Sequence, residues 1–220
     1  MLLYHGSNVI VEKPMYGSGR PHNDYGQGFY CTKDVELANE WACSGISGGF
    51  TNVYELDSGH LSTLILDEHN IIAWLTLLIR NRVVRYSSPI EKQGAKYLIK
   101  HFLPDISGYD LIEGYRADDS YFTYARAFLT NTISIEQLSA AMKLGKLGKQ
   151  ICLKSRNSFD AICFREARAV DGSIYYPKRM EREKQARNDY YHLLEKIDMN
   201  GIFIRDIMRK EMTIDELRIS

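Results

Sequence analysis

Seven short runs with strand character punctuate this chain, and none is longer than five residues. They fall at 2–5, 28–31, 52–56, 63–66, 109–113, 150–154 and 160–164. Strands this short need partners in small sheets and helices to cover them. The intervening segments have helical spacing. Val35, Ala38, Trp41 and Ala42 share one face, with Thr32 as the expected N-cap. The stretch 71–83 is strongly apolar, and Glu91, Ala95, Leu98, Ile99 and Phe102 keep helical spacing up to Pro104. Tyr121, Phe122, Ala125, Phe128 and Leu129 make another apolar face, capped by Asp118 or Asp119. Ser134-Ile135-Glu136-Gln137 reads as a capping box. The expected class is α+β, a split pair of small sheets with helices around them.

The expected body spans residues 1–170, and 171–220 reads as a helical C-terminal extension. Its helices are expected at 179–196 and 202–210, with a second capping box at Thr213-Ile214-Asp215-Glu216. Hydrophobic residues make up 45% of the 220, enough for a substantial core. Lys+Arg and Asp+Glu are both 28, so no global field draws the chain to nucleic acid; a local patch stays possible. Cys31, Cys43, Cys152 and Cys163 sit among apolar residues and form no Cys-x-x-Cys pair. They read as buried free thiols, which suits a reducing cytoplasm. No metal site is expected. Met1-Leu2-Leu3 lacks a basic leader, and the longest apolar run, 71–79, is too short to span a bilayer. The expected location is cytoplasmic.

Two segments carry candidate chemistry. The first is Leu3-Tyr4-His5-Gly6-Ser7. His5 offers a donor to a ribose hydroxyl, the Gly6 backbone can meet a carboxamide, and Ser7 adds a polar contact. The second is Tyr25-Gly26-Gln27-Gly28-Phe29-Tyr30-Cys31-Thr32. Gly26 and Gly28 give a side-chain-free approach to Tyr30, an aromatic platform. This Gly-x-Gly precedes a strand and lacks the third glycine of a dinucleotide loop. The polar loop 12–26 before it is of the kind that often carries function. Arg20 in that loop is a candidate for bidentate pairing with a pyrophosphate.

These two segments, with Ala38 and Trp41 on the following helix and Ala117-Asp118-Asp119 later, resemble the ADP-ribosyltransferase superfamily. The nearer likeness is to its diphtheria-toxin and poly-ADP-ribose-polymerase branch, and within it to a bacterial group of uncharacterised small domains. The likeness covers roughly residues 2–165 by order of elements. It implies a mono-ADP-ribosyltransferase that uses NAD as substrate. His5, Gly6, Ser7, Arg20, Gly28, Tyr30 and Thr32 would form the NAD pocket, with Tyr30 stacked on nicotinamide. It further implies a bacterial toxin or defence effector with a macromolecular acceptor, protein or nucleic acid, and a small neutralising partner. The family places an acid where Gln150 stands. Gln150 can hydrogen-bond but brings no charge, so Asp119 is the expected substitute carboxylate, with Glu55 and Glu113 behind it. Two rivals share the fold: an NAD-dependent RNA 2′-phosphotransferase, which needs basic residues gathered at the site, and a non-enzymatic binding module.

Overall fold

Pairing rather than length makes these strands. The computed structural model describes residues 1–67, 70–117, 119–144, 148–196 and 198–218, with the backbone only at 119–121. Strands β1 (Leu2–Ser7), β3 (Gly49–Leu56) and β7 (Ile162–Val170) form one antiparallel sheet, in the order β1-β3-β7. Strands β2 (Phe29–Cys31), β4 (Thr63–Leu66), β5 (Leu111–Tyr115) and β6 (Lys149–Leu153) form the second, in the order β2-β6-β5-β4. Within it β4 and β5 run parallel, as their connection through helices α2 (Ile71–Asn81) and α3 (Pro89–Phe102) permits. The α+β class is as expected, and the described residues form two sheets.

One isolated bridge joins the sheets. Tyr4 donates its N–H to the Thr32 carbonyl at 2.8 Å and accepts the Thr32 N–H at 2.9 Å. Thr32 is buried, and its Oγ1 donates to the Lys149 carbonyl at 3.1 Å. This corrects its expected role as a cap. The N-cap of α1 (Val35–Ala42) is Asp34, which accepts from the Glu36 and Leu37 amides. Replacing Asp34 by Ala is expected to cost about 1 kcal/mol. For a chain of this size that lowers Tm by roughly 2–4 °C in thermal unfolding.

The main core lies over the second sheet. Helix α2 is buried at every position from Ile71 to Ile79, because its apolar residues run around the whole helix. Trp74 is fully buried and places its indole N–H on the Tyr115 carbonyl at 3.1 Å. Helices α4 (Asp119–Leu129) and α5 (Ile135–Ala141) close this core, and the Ser134–Gln137 capping box is formed as the sequence indicates. Residues 156–160 are a short helix, α6 (Arg156–Asp160), so the last strand begins at Ile162 rather than at Asp160.

The helical segment after residue 170 is packed into this same core. Helix α7 (Gly172–Leu194) starts earlier than expected, on an Asp171 cap, and carries Pro177 inside its length. Ala186 and Tyr190 of α7, Ile204 and Ile207 of α8 (Ile204–Lys210), and Leu217 all belong to the main core. Arg182 grips the buried Glu40 of α1 through two bonds, at 2.9 and 2.7 Å. Thr213 and Glu216 do bond as a capping pair, at 2.7 Å, but a turn follows instead of a helix. Cys31, Cys43 and Cys152 are buried free thiols, whereas Cys163 is exposed, on the solvent face of β7. Among the described residues no helix is long and apolar enough to cross a membrane.

Candidate functional site

Strands β1 and β2 are tied at the Tyr4–Thr32 bridge and part beyond it. An open cleft of about 1040 Å³ fills the gap. Its walls are His5, Gly6 and Ser7 of β1, the loop from Val11 to Gly28, the end of α1 at Trp41 and Ala42, and Arg179, Glu183 and Arg187 of α7. Buried Asp24 and Gln150 lie at its floor. Of the sequence-derived residues, His5, Gly6, Ser7, Arg20, Gly28, Tyr30 and Gln150 all line this one cleft, and Thr32 does not. Asp119 opens α4, but its side chain, like the whole of Asp118, lies outside the described residues. Glu55 and Glu113 pair with Arg165 and Lys33, away from the cleft.

His5 is fixed by β2. Its Nδ1 lies 2.7 Å from the Tyr30 carbonyl. A carbonyl only accepts, so Nδ1 carries the proton. The surrounding protein crowds the ring, and that desolvation lowers its pKa below 6.5, although the Tyr30 bond pulls the other way. The ring is therefore neutral, with Nε2 as a bare acceptor. Nε2 can accept a hydrogen bond from a hydroxyl, whereas the sequence analysis expected His5 to donate. Linkage has a definite sign. The unfolded chain binds this proton near pH 6.5 and the folded chain only lower, so His5 contributes stability above 6.5 that is lost as pH falls through the window below it. Between pH 7 and 5 the wild-type Tm should fall more steeply than that of a His5→Gln variant, measured by scanning calorimetry.

Tyr30 is committed at its hydroxyl. It donates to the Gly26 carbonyl at 2.6 Å and accepts the Tyr25 amide at 3.0 Å. Burial raises its pKa far out of reach of titration near neutrality. The half-buried ring borders the cleft, so stacking is the role open to it. The two glycines serve packing first. Gly26 sits at φ +77°, and a Cβ on Gly28 would come within 2.4 Å of Cys152 Sγ. They are needed to bring the loop onto β6.

Gly6 offers an unpaired edge. Along a strand, N–H and C=O groups alternate between its two sides. Tyr4 points both of its groups at Thr32, so two residues on Gly6 points its own the same way, where β2 has parted from β1. A carboxamide fits such a donor–acceptor pair. The next segment is clamped by Asn52, a buried residue that sequence reasoning passed over. Its Nδ2 bonds the His5 carbonyl, Ser7 Oγ and the Val9 carbonyl at 3.2, 3.0 and 3.3 Å, and its Oδ1 accepts the Val11 amide at 2.8 Å. Ser7 Oγ donates to the Val9 carbonyl at 2.5 Å, so it holds the wall of the pocket.

The carboxylate at the floor is Asp24. The residue is 5% exposed. One oxygen, Oδ2, accepts the Ala117 amide at 2.9 Å and Gln150 Nε2 at 2.8 Å; the other lies 3.6 Å from Arg82. Burial raises its pKa, while Ala117, Gln150, Arg82 and Arg116 pull it back. Gln150 is thus a holder of the acid. A carboxyl group does stand beside it, carried by a loop far away in sequence. The only signal in the sequence was an acid inside a long polar loop next to the Tyr30 strand. Cations line the same cleft. Lys13, Arg20, Arg82, Arg116, Arg179 and Arg187 all line the cleft, and the Arg116 guanidinium lies 4.7 Å over the Trp41 ring. Among the described residues no group of three or more His, Cys, Asp or Glu side chains is arranged to hold a metal.

A family model described as a protein of unknown function (DUF3990) matches residues 1–164. No curated protein and no solved structure matches the chain.

Proposed function

We propose that this chain, which belongs to the DUF3990 family of proteins of unknown function, is an NAD-dependent mono-ADP-ribosyltransferase. The observation that carries this reading is one cleft lined by His5, Tyr30, the open Gly6 edge and a buried carboxylate. Gly6 would hold the nicotinamide amide, Tyr30 its ring, His5 Nε2 a ribose hydroxyl and Arg20 the pyrophosphate. The nicotinamide–ribose bond breaks with its electron pair passing to the pyridinium nitrogen, which leaves neutral. The Asp24 carboxylate stabilises the cationic ribose carbon that remains. The acceptor adds its lone pair to that carbon and loses its proton to Asp24 or to water. A toxin or effector role, with a small neutralising partner, follows from the family likeness in sequence and belongs to the same proposal.

The test is incubation of the pure protein with NAD labelled in the adenylate, alone and with a cell lysate. Label fixed on macromolecules, with matching nicotinamide release, is the expected result. Failure to bind NAD at millimolar concentration in calorimetry overturns the reading. One observation favours a second reading, NAD-dependent removal of a 2′-phosphate from RNA: the cationic residues which that chemistry requires are gathered in the cleft. Nicotinamide release that depends on 2′-phosphorylated RNA would select it.

A further inference from the structure

The cleft is far more cationic than NAD requires. Six cations, Lys13, Arg20, Arg82, Arg116, Arg179 and Arg187, face two acids, Asp24 and Glu183, an excess of four positive charges in a chain of zero net charge. NAD carries two phosphate charges offset by its pyridinium, a net single negative charge. Some of the excess is locally engaged: Arg82 lies 3.6 Å from Asp24, and Arg179 lies 3.0 Å from Glu183. Lys13, Arg20 and Arg187 form no ion pair among the described residues. They come from the loop and from α7, on walls that converge on one opening. Lys13 and Arg187 are exposed, so neither contributes to the core.

From this we infer that the acceptor is a single-stranded nucleic acid whose phosphates lie along the Lys13 and Arg187 walls. The inference rests on the transferase reading above. Charge alone suits any polyanion, and Trp41 narrows the choice. Its half-buried ring lies in the cleft with the Arg116 guanidinium carbon 4.7 Å over its centroid, a cation–aromatic pair of residue types on which unpaired bases stack. A duplex hides its base faces, and a folded protein surface presents few phosphates. The nucleophile is a base nitrogen or a sugar hydroxyl: its lone pair forms the new bond to the ribose carbon and its proton is lost, while nicotinamide departs with the old bonding pair.

The test uses the full chain, labelled NAD, RNA and DNA oligonucleotides of about twelve nucleotides, and a nucleic-acid-free protein fraction. Label on either oligonucleotide supports the inference, and the pair of arms separates RNA from DNA. Label confined to protein, or nicotinamide release that no oligonucleotide accepts, overturns it while the NAD reading stands. Absence of NAD binding in calorimetry overturns both. Oligonucleotide affinity is read separately by fluorescence anisotropy against salt. Lys13→Gln and Arg187→Gln should each reduce the slope of log affinity against log salt by about 0.7 without lowering Tm. A slope that neither variant changes removes these walls from the acceptor site and overturns the assignment.

Discussion

Replacing Asp24 by asparagine lowers the rate of nicotinamide release by about 10²–10³-fold and leaves the fold intact. The two halves of this expectation come from different atoms. Both neutral hydrogen bonds to the side chain converge on Oδ2, from the Ala117 amide and from Gln150. An asparagine carbonyl placed there accepts both. The substituted amide then occupies the position of Oδ1, where only the longer contact to Arg82 is lost. The electrostatic role is lost completely, because no other acid lies at the floor among the described residues. Stability should rise or hold. Burial raises the Asp24 pKa above 3.8, so the folded chain binds that proton more readily than the unfolded one. The stability this confers is present below pH 3.8 and is lost as pH rises through the folded value. Near neutrality the wild type therefore carries a desolvation cost that asparagine avoids, a trade of stability for activity. The check is paired: single-turnover nicotinamide release, and Tm at pH 7. A rate within about threefold of wild type would remove Asp24 from the reacting centre. A collapsed Tm with residual activity per folded molecule would make it a structural residue.

The opening motifs were legible because they are local. His5, Gly6 and Tyr30 lie on strands that alternation and flanking glycines reveal, and the structure brings them to one cleft. Asp24 was not legible as an acid of the site. Its place depends on Gln150 across 126 residues and on Ala117 across 93, contacts that leave no trace in a linear pattern. The same holds for Asn52, whose four partners lie 41–47 residues away. Helix α7 was misjudged for a different reason. Its charge-rich sequence indicated a helix at 179–196 and gave no sign of what that helix packs on, yet Arg182 meets buried Glu40 and Arg179 reaches the Cys43 carbonyl at 3.2 Å. Those bonds fasten α7 to α1 and make it a wall of the cleft. A neutral net charge likewise concealed the cationic lining, since a sum over 220 residues is blind to which of them converge.

Replacing Gly6 by alanine is expected to cost about 3 kcal/mol, a fall in Tm of roughly 6–12 °C, and to abolish measurable NAD affinity in the molecules that remain folded. A Cβ at this position would lie 2.0 Å from the Ala38 carbonyl, 2.6 Å from the Ala42 amide and 3.0 Å from the Trp41 carbonyl carbon. All three are main-chain atoms of α1, so no rotamer relieves the clash and the helix itself must move. Gly49 on β3 meets the same helix, with a Cβ there 2.3 Å from the Ala42 carbonyl. Helix α1 therefore rests directly on the backbone of two neighbouring strands. Shifting it displaces Trp41 and Ala42 at the cleft wall, strains the Arg182–Glu40 link to α7, and turns the Gly6 edge away from the ligand. Ser7→Ala separates the causes, because it keeps the helix seat and removes only the bonds to Val9 and Asn52. It should cost about 1 kcal/mol and spare most NAD affinity. Calorimetric titration below the Tm of each variant reads the two effects independently. A Gly6→Ala protein with wild-type Tm would mean that α1 sits further from β1 than these distances allow. A destabilised variant that still binds NAD normally would place the carboxamide contact elsewhere in the cleft.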